Sequence, residues 1–215
     1  MIKYSYNTQK YPFRNITEEY LQISKLEKLH LNNEFGGILT SSDGNYADQK
    51  QDLHRRFYDR MDQCNLLKNT YNQFIKEVVC PIFNEEIYFQ TYPTFRIHQP
   101  NNIAVFEFHK DKTYSHPSGE MNIYLPITNA FGSNTIWTES EEDKGDFSPI
   151  DANYGEFYVW DGNNLTHGNK LNQTKNTRIS FDFRVISKVD CEKCENSEGS
   201  VTHGTKFKLG GYYDA

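Results

Sequence analysis

In Phe108-His109-Lys110-Asp111 an imidazole and a carboxylate stand two positions apart, where a predicted strand runs into a loop, so both side chains can point to one spot. A second histidine, His167, lies in Asn164-Leu165-Thr166-His167-Gly168, with enough chain between for several antiparallel strands. Two neutral imidazoles and one anionic oxygen suit high-spin iron(II): they neutralise part of its charge and leave three adjacent positions open for oxygen chemistry. His109, Asp111 and His167 are therefore the candidate metal ligands and the candidate catalytic residues.

Eleven positions after His167, Thr177-Arg178-Ile179-Ser180 sets a guanidinium and a hydroxyl on the polar face of the next predicted strand. Together they make a fork for a carboxylate. A chelating 2-oxo acid would need such an anchor, since its 1-carboxylate and 2-oxo oxygens occupy two iron positions while its far carboxylate must be held. The plainer alternative is a surface Arg178 paired with Asp182 or Asp161. His116 and Glu120 form another histidine and acid near the metal loop, but a Pro and a Gly lie between them; substrate contact or loop structure suits His116 better than ligation. Arg96 and His98, on alternate positions of a strand, are further candidates for an anionic or polyhydroxylated substrate, with a salt bridge to Glu107 the alternative for Arg96. Trp137 and Trp160 are read as core. Cys191, Cys194 and His203 offer only three soft ligands and are read as a loop rather than a zinc site.

These residues must be positioned by strands. From about residue 92 the hydrophobic period is two, in short runs broken by Gly, Pro, Asn and Asp, as antiparallel sheet requires. Strands are expected near 91–98, 103–109, 121–127, 135–139, 156–160, 165–167 and 178–186. Ile179, Phe181, Phe183 and Val185 share one face of the last, with Arg178, Ser180, Asp182 and Arg184 on the other. Phe95 and Ile97 likewise oppose Thr94, Arg96 and His98, and Ala104, Phe106 and Phe108 oppose Val105, Glu107 and His109. Such alternation fits a sheet with its polar face in water. It fits equally a rolled-up barrel whose apolar faces lie under helices and whose polar faces line a cavity.

The helices would come from the N-terminal third. Thr17 ahead of Glu18 and Glu19, followed by Tyr20, Ile23 and Leu26, predicts a helix over 16–31. After the turn-rich segment 32–37 and the polar loop 41–48, residues 49–79 run without Gly or Pro and carry Leu53, Phe57, Met61, Leu67, Tyr71, Phe74 and Val78 on recurring faces. This predicts one long helix or two in sequence, ending before Pro81.

Composition sets outer bounds. A chain of 215 residues fits one domain, and 15 Phe, 15 Tyr and 2 Trp with a mean hydropathy of -0.80 predict a polar protein with an aromatic interior rather than a disordered chain. A net charge of -6 has the wrong sign for a phosphate backbone, so nucleic acid is not an expected partner. No stretch has the apolar length to cross a bilayer and no apolar signal core opens the chain, so no membrane partner and a cytoplasmic location are expected. Four cysteines are too few for a disulfide scaffold and are read as thiols, and the acidic run 139–143, with Asp151 and Asp161, as solvated turns.

With these motifs in hand, the chain resembles the non-haem iron(II) and 2-oxoglutarate dependent oxygenases, and most closely the branch with dioxygenase-like proteins of aminoglycoside antibiotic biosynthesis. The likeness runs through FHKDKTYSHPSGEMNIYLP, TIWTESEEDKGDF, YGEFYVWDGNNLTHGN, TRISFDFRVI and GTKFKLGGYYDA, over roughly residues 92–215. It implies a mainly β fold, a double-stranded β-helix (a cupin-like jelly roll) buttressed by N-terminal α-helices. It implies a single oxygenase domain with a mostly helical buttress over 1–90, the core over 91–189 and a C-terminal extension over 190–215. It also implies Fe(II) on His109, Asp111 and His167, 2-oxoglutarate held by Arg178 and Ser180, and Asn122 and Tyr124 reaching the cosubstrate or a metal-bound water. The implied reaction uses O2 as cosubstrate and oxidises a small polar substrate (a sugar, aminocyclitol or amino-acid-like metabolite). Asp111 stands where related halogenases carry a small residue, so halogenation is not expected, whereas hydroxylation, desaturation or ring closure is. The rival readings are a cupin-like, non-redox sugar isomerase or epimerase, and a jelly roll that binds a small molecule without turnover. An oligomer is compatible with either.

Overall fold

The computed structural model describes residues 1–32, 52–105, 107–194 and 206–215. The two turn segments expected at 32–37 and 41–48 fall almost wholly outside these residues, as does His203. The chain opens with β1 (Ile2–Ser5), followed by α1 (Phe13–Leu21), α2 (Asp52–Gln63) and α3 (Asn65–Phe74). Then come β2 (Ile87–Gln90), β3 (Thr94–His98), β4 (Met121–Pro126), β5 (Ile136–Thr138), β6 (Ser148–Pro149) and β7 (Glu156–Trp160). The last elements are β8 (His167–Asn169), β9 (Arg178–Ser187), α4 (Lys188–Cys194) and β10 (Tyr213–Asp214). No helix among the described residues is long and apolar enough to cross a membrane.

The strands form two antiparallel sheets, and the fold is a mainly β jelly roll backed by helices. The larger has the order β1-β7-β4-β9-β2-β10, with β3 also paired to β9, and the smaller is β6-β5-β8. β9 is the hinge of the large sheet. One edge pairs with β4 from Ser180 to Val185, while the other pairs with β3 over Arg178 to Asp182 and with β2 over Val185 to Ser187. Its alternation explains the layering. Ile179, Phe181, Phe183 and Val185 join Phe95, Ile97, Ile123, Leu125 and Phe157 in one apolar core with the inward faces of α1, α2 and α3. Phe57 of α2 stacks flat on Phe95 of β3 at 3.9 Å, and Tyr71 of α3 meets Phe183 edge-on. The opposite, polar faces of β4, β7 and β9 turn toward the small sheet. The second reading of the alternation is therefore the one adopted for β3 and β9.

Several expected elements differ. The helix predicted over 16–31 starts at Phe13, directly after Pro12, and ends where Gln22 turns left-handed (φ 56°). The chain resumes as a 3-10 turn over Leu26–Leu31 that buries Leu26 and Leu29. Thr17 lies inside α1, its hydroxyl donating to Phe13 O. Residues 49–79 break at Cys64 between α2 and α3, and α3 passes into a π turn over Ile75–Val79. No continuous strand runs over the described residues of 103–109. Ala104 is buried, Phe108 is 38% exposed, and pairing is confined to isolated bridges at Val105 and at His109, the latter with His167. Phe106 lies outside the described residues. β2 carried no signal because all four of its residues are buried, which erases alternation. Cys64, Cys80 and Cys191 are free thiols.

Candidate metal centre

The site is built where the two sheets face each other. His167 opens β8, and its backbone exchanges two 2.9 Å hydrogen bonds with His109. This single bridge lays the two imidazoles side by side, ring centroids 4.6 Å apart. The approach needs Gly168, since a Cβ there would meet Phe108 at 2.9 Å from its Cδ2 and 3.1 Å from its Cα. Asp111 follows on a short 3-10 turn, its N–H donating to Gly162 O at 3.0 Å.

Within this arrangement every ring nitrogen has an assigned task. His109 Nδ1 lies 2.8 Å from Glu107 O and His167 Nδ1 lies 2.9 Å from Leu165 O. A carbonyl only accepts, so both Nδ1 atoms carry the proton and both Nε2 atoms present lone pairs. These Nε2 atoms lie 3.6 Å and 3.7 Å from Asp111 Oδ1. One donor atom from each of the three residues falls within 4.8 Å of the other two, and this is the one His/Cys/Asp/Glu cluster with metal-ligand geometry among the described residues. Burial pushes the His167 pKa down to about 4, so its ring is neutral at physiological pH, the form a metal requires.

The other carboxylate oxygen of Asp111 is committed elsewhere. Its Oδ2 accepts from Arg184 Nε at 2.9 Å and Nη2 at 2.7 Å, and from Asn122 Nδ2 at 2.8 Å. Burial alone would raise the Asp111 pKa, but the Arg184 guanidinium and the neighbouring histidines hold it well below the usual carboxylate range. Asn122 thus orients Asp111, the task closest to hand for it, and it lies so tightly on Gly162 that a Cβ there would come within 2.5 Å of Nδ2. Arg184 went unnamed as a site residue, although its place on the polar face of β9 with Arg178, Ser180 and Asp182 was the signal that could have found it.

Arg178 is 1% exposed and Ser180 is fully buried. Arg178 Nε donates to Asn134 O at 3.1 Å and Nη1 to Ser180 Oγ at 2.8 Å, while Ser180 Oγ donates to Asp182 Oδ1 at 3.2 Å. Neither Asp182 nor Asp161 pairs directly with Arg178: Asp161 accepts from Asn164 instead. Tyr124 lies beside Arg178, its hydroxyl 3.1 Å from Thr135 Oγ1, and burial raises its pKa to about 12. A cavity joins these parts, with His109 and His167 at one place and Arg178, Tyr124, Asn122 and Arg184 on its walls.

Of the three residues expected to meet substrate, Arg96 lines the cavity and lies 3.4 Å from Asp182 Oδ2. The structure does not bring the other two there. His98 is enclosed, its Nδ1 3.1 Å from Asn134 O and its Nε2 2.7 Å from Asn102 O, because β3 ends in a turn that wraps it. His116 Nδ1 instead lies 2.6 Å from Glu120 Oε2, away from the cavity lining. Trp160, read as core, lines the cavity and meets the His167 ring edge-on at 4.7 Å. Glu139, read as solvated, is 1% exposed and accepts from Thr166 N at 2.6 Å, steadying the residue before His167. Cys191 lies in α4, buried beside Phe207 and Tyr213, whereas the Cys194 side chain and His203 lie outside the described residues.

No family model matches the chain. The streptomycin biosynthesis protein StrG of Streptomyces griseus is 33% identical over 217 residues, an alignment spanning 100% of this chain and 99% of that protein. Among solved structures, EctD from S. alaskensis with bound Fe is similar at 11% identity and a TM-score of 0.49, covering 88% of this chain and 73% of that one. AviO1 from Streptomyces viridochromogenes Tue57 is similar at 15% identity and a TM-score of 0.46, covering 86% of this chain and 88% of that one. The non-heme alpha ketoglutarate dependent carbocyclase SnoK from nogalamycin biosynthesis is similar at 11% identity and a TM-score of 0.46, covering 85% and 76%. With a third of its positions shared end to end, the chain belongs to the family of the streptomycin biosynthesis protein StrG.

Proposed function

We propose that this protein is an Fe(II)- and 2-oxoglutarate-dependent oxygenase that oxidises a small polar metabolite. One observation carries the reading: two imidazole Nε2 atoms and one carboxylate oxygen converge while the remaining polar atoms of the same three side chains are tied to other partners. Donors held in this way lose little freedom on meeting a metal, and two nitrogens with one anionic oxygen on adjacent positions are the set that suits ferrous iron. Bound iron would supply the oxidation: O2 is reduced as 2-oxoglutarate loses CO2 to give succinate, and a C–H bond of the substrate becomes C–OH.

The chain's own residues bind and orient. Arg178 is the anchor for the far carboxylate of 2-oxoglutarate, with Ser180 Oγ accepting from its Nη1 and helping to aim it, and burial of both excludes water that would weaken the charge-assisted bonds. The Tyr124 hydroxyl, held protonated by burial, is a donor within the same wall. Arg96 is the substrate-side candidate. The relative's place in streptomycin biosynthesis supports a small biosynthetic metabolite, such as a sugar or aminocyclitol, as the substrate class. The test is anaerobic addition of Fe(II) and then 2-oxoglutarate, which should produce the visible charge-transfer band of the chelate. Iron binding without that band would turn the reading to a non-redox isomerase or a binding protein. Stimulated succinate release across a panel of sugars and aminocyclitols would then identify the substrate.

A further inference from the structure

Glu120 is a fully enclosed carboxylate outside the metal cluster, its side chain 0% exposed. An enclosed charge is costly unless hydrogen-bonded and paired. Its partners come from its own loop and from the C-terminal strand. Oε1 accepts from Tyr213 OH of β10, and Oε2 faces His116 Nδ1 at 2.6 Å, in the loop after the metal aspartate. Oε2 also lies 3.9 Å from Arg184 Nε. Arg184 therefore stands between two carboxylates, in bidentate contact with Asp111 Oδ2 and in looser contact with Glu120.

This matters for Asp111, whose Oδ1 faces the two histidines. A guanidinium drawn only to Asp111 could slide over both oxygens and compete with a cation for Oδ1. A second anion behind it holds it back. The C-terminal strand thereby reaches the metal centre: β10 pairs with β2, and Phe207 packs on the His116 ring at 4.6 Å. We propose that Glu120, anchored by Tyr213 and His116, is a positioning residue that restrains Arg184 so that Asp111 offers Oδ1 alone to the metal. The proposal rests on the metal-centre reading above.

The experiment titrates the full-length protein with Co(II), following its visible d–d absorption together with the melting temperature. Glu120→Gln and Tyr213→Phe should weaken Co(II) binding by about tenfold, the usual scale for groups behind a metal ligand, and should shift the d–d bands. Tyr71→Phe, which removes an equally buried hydroxyl that donates to Gln90 O at 2.7 Å, should leave affinity and bands unchanged. Should Glu120→Gln fail to fold, Tyr213→Phe decides alone. Wild-type affinity and spectrum in Tyr213→Phe would overturn the proposal, as would an equal loss in Tyr71→Phe, which would mark the effect as general destabilisation. Wild-type protein that binds no Co(II) would instead remove the metal-centre reading, and this proposal with it.

Discussion

At the residue scale the site is a matter of which atom each side chain leaves over. The histidines spend Nδ1 on carbonyls two residues back and Asp111 spends Oδ2 on Arg184 and Asn122, so the three remaining donors can act together. His167→Ala should abolish metal binding, read by calorimetry with Fe(II) or Co(II) under anaerobic conditions. Arg178→Ala should keep metal binding but weaken 2-oxoglutarate by about 10- to 100-fold, the scale of losing hydrogen bonds to a charged group. Unchanged 2-oxoglutarate affinity in that variant would remove the reason for naming this cosubstrate. His98 makes a separate pH prediction. Burial, with the nearby Arg178 charge, lowers its pKa to about 3 from an ordinary value near 6.5. The unfolded chain then takes up a proton at higher pH than the folded one, so this contribution to stability is complete above about 6.5 and is lost as pH falls toward 3. Urea midpoints measured with chelator should fall from pH 7 to pH 4, and less steeply for His98→Asn; identical slopes would refute the assignment.

At the element scale one strand does two jobs. β9 sends Arg178, Ser180, Asp182 and Arg184 toward the cavity and Ile179, Phe181, Phe183 and Val185 into the core, so its register fixes the Arg178–Ser180 pair and the Arg184 brace of Asp111 together. β8 is the weaker element, only three residues long and tied to His109 by one bridge. Gly168→Ala tests that tie. Its Cβ would sit 2.9 Å from Phe108 and must push the two histidine segments apart, at a cost of about 1–3 kcal/mol. Metal affinity should drop more than the melting temperature predicts; a variant with wild-type affinity would show that the bridge does not set the spacing.

At the scale of the whole molecule, the helices cover the apolar face of the large sheet and leave its polar face to the small sheet. The main core joins α1, α2 and α3 to β3, β4, β7 and β9, with Phe57 stacked on Phe95 at its centre. Phe57→Ala should destabilise the protein by about 3–5 kcal/mol in urea unfolding. It lies outside the cavity lining, so activity per folded molecule should persist. A loss under about 1 kcal/mol would mean the helices are not needed to buttress the sheet.

What the sequence determined by itself follows from short-range rules. Alternation on β3 and β9 was legible because each has one apolar and one polar face, and the spacing of His109, Asp111, His167, Arg178 and Ser180 carried its chemical sense on its own. Tertiary structure alone decided the rest. β2 is buried on both faces and β1, β6 and β10 are very short, so period carried no message there. Residues 103–109 alternate like a strand, but the described ones form isolated bridges only, His109 meeting His167 of the small sheet. The roles of Arg184, Glu120 and Tyr213 depend on contacts between residues 64 to 93 positions apart, and no local pattern encodes which buried charge will find which partner.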